Sequence, residues 1–144
     1  MALDLLHVRP GLELPRRTVH VDWERLVAYA EASGDHNPIH QDEEFAHSVG
    51  LPDVIAHGMW TMGAAVVLVA DWAGDPTAVV SYGTRFVNPV VVPATGGADV
   101  EVSGVVTKVD EETGRVTVEL SVTCDGTKVL GRAVAVVQAP VPVP

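Results

Sequence analysis

Asp35 and His40 stand five positions apart in Ser33-Gly34-Asp35-His36-Asn37-Pro38-Ile39-His40. A carboxylate and an imidazole facing one pocket can share a water molecule. One accepts its proton while the other orients it or returns a proton, which is the division of labour general acid–base chemistry needs. Gly34 permits a sharp backbone path, and Asn37-Pro38 sets a non-helical turn between the two groups, because a residue before proline avoids the helical region. The wider stretch from Asp35 to His57 also holds His36, Asp42 and His47, so four of the six histidines fall within it. The residues alone leave a second reading open, in which Asp35 and Asn37 only bond to turn backbone and His40 is solvated.

His36 and His40 are four apart, the spacing that puts two ligands on one face of a helix. Pro38 lies between them and breaks that helix, so no metal site is expected. His57-Gly58 differs in kind. Gly58 begins an apolar helical stretch, and the first N–H groups of a helix lack internal partners. They can receive negative charge developing on a carbonyl oxygen, and glycine lets a substrate approach the backbone closely. The competing reading of His57-Gly58 is an ordinary loop-to-helix junction. Cys124, Met59 and Met62 read as packing residues, and Arg85-Phe86 either places a positive charge near the pocket or makes a structural ion pair.

Helices dominate the first half and strands the second. Arg17 to Val21 reads as a short strand, and Asp22 as the N-cap of a helix through Ala32 that stops at Gly34. Asp42 caps a short helix over Glu43 to Ser48. A third helix runs from Gly58 to about Trp72, apolar almost all round, which marks a buried element. Strands follow over Ala78 to Val87, Ala98 to Val109, Val116 to Cys124 and Thr127 to Val137, with Asp125-Gly126 a type I′ turn signal. These elements predict an α+β fold, a long helix lying on an antiparallel sheet, over residues 1–138. Residues 139–144, alternating proline with valine or alanine, read as an extended tail. One helix cannot cover every edge of such a sheet, so pairing with a second chain is expected.

The chain has 144 residues, enough for one core, and a net charge of −10 that excludes a nucleic-acid partner or an anionic membrane surface. The longest uncharged apolar run, Gly58 to Ala70, is too short to cross a bilayer. The single cysteine excludes an intrachain disulfide, and Met1 to Pro15 lacks an apolar signal core, so a cytoplasmic location is expected.

Tyr29, Ser33-Gly34-Asp35, Asn37-Pro38-Ile39-His40, Asp42 and Ala46, followed by Ala56-His57-Gly58-Met59, resemble the hydratase 2 motif of MaoC-like proteins. The likeness extends to Arg85-Phe86, Pro89-Val90 and Gly131-Arg132-Ala133. It is particularly similar to the catalytic subunit of actinobacterial heterodimeric (3R)-hydroxyacyl-ACP dehydratases. The resemblance implies a hot-dog fold, a sheet wrapped around a central helix. It implies a hydro-lyase that interconverts trans-2-enoyl and (3R)-3-hydroxyacyl thioesters of CoA or acyl-carrier protein, with no cofactor. By position, Asp35 and His40 match the catalytic pair, Asn37 a residue that fixes the site segment, and Gly58 the N–H that binds the thioester carbonyl. The chain departs from some hydratases in having Ala64, Ala65 and Val66 where a serine reaches the substrate carbonyl. The resemblance leaves two alternatives, a hot-dog thioesterase or a partner subunit of a heterodimeric dehydratase. A homodimer or a heterodimer with another hot-dog subunit is the expected assembly.

Overall fold

The computed structural model describes residues 3–140. Strand β1 (Arg17–Val21) leads into helix α1 (Trp23–Ser33), a short helical turn at Pro38–His40, helix α2 (Glu43–Ser48) and helix α3 (Gly58–Ala73). Strands β2 (Val79–Phe86), β3 (Ala98–Asp110), β4 (Arg115–Cys124) and β5 (Thr127–Gln138) complete the chain. They form one five-stranded antiparallel sheet in the order β1-β3-β4-β5-β2. This is the α+β hot-dog arrangement that the resemblance implies.

Local chemistry explains the boundaries. The Asp22 carboxylate accepts the Arg25 N–H at 2.9 Å and Gly34 ends α1 in the left-handed region at φ 78°. Asp42 accepts the Phe45 N–H at 3.0 Å to start α2. Asp125 and Gly126 both have positive φ, 55° and 75°, as a type I′ turn between β4 and β5 requires.

Alternation along the strands builds the core. Val100, Val102 and Val106 of β3 and Val116, Val118, Leu120 and Val122 of β4 are buried, and they meet Trp60, Ala65, Leu68 and Val69 of α3 in one cluster. α3 is not buried all round, however. Met59 and Val67 are 61% and 43% exposed, because the sheet wraps one face of the helix and nothing among the described residues covers the other. Val80, Phe86 and Val87 on and beside β2 are exposed as well, and β2 is an edge of the sheet.

The irregular segments are held from both sides. The Ala56 N–H donates to Val90 O and the Val92 N–H to Val54 O, both at 2.9 Å, while the Trp23 indole N–H reaches Val92 O at 2.6 Å. The run before α3 is thereby tied to the β2–β3 connection and to α1. At the other end Ala139 is buried and its N–H donates to Gly114 O at 2.8 Å, whereas 141–144 of the expected tail lie outside the described residues. No helix among the described residues is long and apolar enough to cross a membrane.

Candidate active site

Gly34 turns the chain out of α1 so that Asp35 begins a run of side-chain-to-backbone bonds. Asp35 Oδ1 accepts the Asn37 N–H at 3.1 Å, and Asn37 Oδ1 accepts the Ile39 N–H at 3.1 Å. Pro38, fixed in φ and needing no donor partner, opens the turn that ends at His40. The turn bonds of Asp35 and Asn37 are present, but they occupy only one oxygen of Asp35, and His40 is buried rather than solvated as the turn-only reading expects. Oδ2 stays outside the turn and lies 4.0 Å from His40 Nε2.

His40 is 7% exposed, and its Nδ1–H donates to Ile55 O at 2.6 Å. That bond assigns the proton to Nδ1 and leaves Nε2 bare toward Asp35. Two hydrogen bonds of about 2.8 Å meeting at one water oxygen span about 4.0–4.5 Å, so the Nε2–Oδ2 gap suits a shared water. Burial pushes the His40 pKa below 6.5; the Ile55 bond opposes this, the neighbouring His57 reinforces it and Asp35 opposes it.

His57, 2% exposed, precedes α3 and points inward. Its Nε2–H donates to Asp35 O at 3.0 Å, its ring stacks on His40 with centroids 3.8 Å apart and 23° between planes, and Tyr29 of α1 meets it edge-on at 4.7 Å. Nδ1 of His57 is buried with no hydrogen-bond partner among the described residues. Asp35, His40 and His57 each offer a donor atom within 4.8 Å of the others. Stacked rings send their lone pairs along nearly parallel planes rather than to one point, so the trio suits proton transfer better than tetrahedral or octahedral metal ligation. His36 and His47 are exposed and remain outside the group.

Gly58 lies on the wall of a cavity of about 300 Å³ that also meets His40, Thr61, Phe86, Asn88 and Leu130. A Cβ at Gly58 would come within 3.0 Å of Phe86 Cε1, so the ring lies directly over the glycine. As the first residue of α3, Gly58 offers an N–H with no intrahelical acceptor. His40 and Gly58 thus share one cavity wall, and Asp35, which is not among the lining residues, approaches it through His40, with Asn37 bracing the turn. Sequence reasoning did not anticipate Phe86 or Thr61 in the wall. Phe86 was in view only as the neighbour of Arg85, and it is Phe86, not Arg85, that lines the cavity. Thr61 places a hydroxyl one turn along α3, where it donates to His57 O at 3.4 Å, while Ala64 and Ala65 add none.

Residues 9–124 match the family model of the MaoC like domain. The chain is 44% identical over 89 residues to 3-hydroxyacyl-thioester dehydratase X of Mycobacterium tuberculosis, covering 62% of this chain and 31% of that protein. It is 45% identical over 60 residues to the peroxisomal enoyl-CoA hydratase 2 of Arabidopsis thaliana, covering 40% of this chain and 19% of the relative. The chain therefore spans well under two thirds of the length of either relative. Among solved structures, a MaoC-like dehydratase superimposes with a TM-score of 0.94 at 40% identity, over 96% of this chain and 43% of that one. The family match takes in Asp35, His40, Gly58 and strands β1 to β4, and the chain belongs to the MaoC-like domain family.

Proposed function

We propose that the protein is a hydro-lyase that reversibly hydrates trans-2-enoyl thioesters to (3R)-3-hydroxyacyl thioesters, carried on CoA or acyl-carrier protein. The observation that supports it most is the 4.0 Å gap between His40 Nε2 and Asp35 Oδ2 beside the Gly58 cavity. In this reading the thioester carbonyl accepts a hydrogen bond from the Gly58 N–H, which draws electron density from the conjugated double bond. Asp35 orients the water and His40 Nε2 accepts one of its protons as the oxygen bonds to C3. The electron pair of the double bond moves toward the carbonyl oxygen, and His40 returns the proton to C2 from the same face. Dehydration reverses each step on the same groups. Asn37 holds the turn and needs no contact with substrate.

The exposed apolar residues of α3 and the open edge at β2 support a dimer with a second hot-dog chain, identical or related. A cytoplasmic setting, expected from the sequence, belongs to the same proposal. A spectrophotometric assay following loss of enoyl absorbance, across trans-2-enoyl-CoA chain lengths, tests the activity, with Asp35→Asn as control. Saturable hydration abolished by that substitution is expected. Release of free thiol without loss of the double bond would instead assign a thioesterase and overturn the reading.

A further inference from the structure

The segment Ile55 to Gly58 reaches every part of the proposed reaction. Ile55 O holds His40 Nδ1, His57 Nε2 holds Asp35 O, and Gly58 lines the cavity. His57 is the least expected member. It makes no side-chain cap for α3, and its Nδ1 is buried with no hydrogen-bond partner among the described residues. The ring's own contacts, rather than a helix cap, account for its place there.

Two of those contacts fall on the Asp35–His40 pair. The remaining side-chain bonds at Asp35, to Ser33 Oγ and to the Asn37 N–H, span two residues and move with the turn. The His57 bond spans 22 residues and ties Asp35 to the start of α3. The same ring lies flat against His40 at 3.8 Å, and Tyr29 backs it edge-on at 4.7 Å. We infer that His57 is a positioning residue for the hydration proposed above, fixing the Asp35 backbone and the His40 ring relative to each other through one imidazole. Its protonated nitrogen is Nε2, since only a donor can bond the Asp35 carbonyl. Among the described residues, the titratable groups in contact with the two rings are Asp35, Tyr29 and the rings themselves.

Two substitutions separate this role from simple packing. His57→Leu fills the volume and removes the donor and the aromatic face; His57→Gln keeps an N–H about as far from the backbone as Nε2. His57→Leu is expected to lower kcat roughly 10–100-fold, the scale of a small misplacement of reacting groups, with KM within about threefold. His57→Gln should recover most of that loss. Wild-type kinetics in His57→Leu, or no recovery in His57→Gln, would overturn the role. Imidazole 15N spectra of the wild-type protein supply a readout independent of turnover. They should show His57 protonated at Nε2 and bare at Nδ1, and the opposite tautomer would end the proposal even if the variants failed to fold. A wild-type protein inert toward all enoyl thioesters would refute the hydratase reading instead, with the tautomer still deciding the contact to Asp35.

Discussion

At Asp35 two oxygens of one carboxylate have separate tasks, and this makes the residue testable. Asp35→Asn preserves an acceptor at Oδ1 for the Asn37 N–H and removes the charge that faces His40. Turnover should fall roughly 10²–10⁴-fold with the melting temperature little changed, as measured by steady-state kinetics beside thermal unfolding. Gly58 permits a cleaner separation. Proline suits the first position of a helix, and His57 at φ −59°, ψ 133° already has the extended conformation that precedes proline. Gly58→Pro therefore removes one N–H with little backbone strain. Both Gly58→Pro and Gly58→Ala add a Cβ that pushes on Phe86, whose ring is 56% exposed and free to yield. The difference in kcat/KM between the two variants isolates the N–H, and about 10²-fold is expected; equal kinetics would remove Gly58 from carbonyl binding.

His40 also links the site to pH. Its folded pKa is depressed below 6.5, so the folded state binds fewer protons than the unfolded state as pH falls below that value. The stability His40 contributes is full above pH 6.5, and it is lost as pH drops from there through the folded pKa. Activity that needs a bare Nε2 persists over the upper part of this window and falls with the folded pKa. Thermal melts from pH 7.5 to 5 should show a decline that is shallower in His40→Gln; equal slopes would assign the decline to other groups.

Elements place these residues, and their ends were the most legible part of the sequence. Asp22, Gly34 and Asp42 act at the caps where their chemistry predicts, because capping is decided within a few residues. Strand alternation in Val116, Val118, Leu120 and Val122 was equally plain. Contacts made across the fold were not legible. No local signal tells that His57 stacks on a ring 17 positions earlier or that Phe86 covers Gly58, since both depend on how β2 and the turn at Pro38–His40 approach α3. The family motif named Asp35, His40 and Gly58 by position but did not supply the distances between them. Gly34 tests the link between element and site. At φ 78° it has open space where a Cβ would go, so Gly34→Ala meets conformational strain without a clash. Stability should fall by about 1–2 kcal/mol in urea titrations. Relief of that strain would re-aim Asp35, so kcat should fall more than KM rises; a stability loss with unchanged kcat would show that the turn tolerates a different exit from α1.

At the scale of the whole molecule, the discrepancy between sequence and structure lies in α3. Its sequence reads as a helix buried all round, yet Met59 and Val67 are open to solvent. Val80, Phe86 and Val87 add exposed apolar surface on and beside the edge strand β2, which also carries unpaired backbone groups. A second hot-dog chain laid along β2 would satisfy both the backbone edge and the apolar face. Phe86 and Val87 line the cavity as well, so such a partner would sit against the mouth of the site. Val80 lies outside the cavity lining and is 48% exposed, which makes it the place to test assembly without touching the chemistry directly. Light scattering coupled to gel filtration should give a dimer for the wild-type chain, alone or with its hot-dog partner. Val80→Lys, a charge on the edge, should shift it toward monomer. If the site is completed by the partner, hydratase activity per chain should fall with dilution of the Val80→Lys protein and stay constant for wild type over the same range. A wild-type monomer with full activity would mean that the apolar face of α3 serves no pairing role in catalysis.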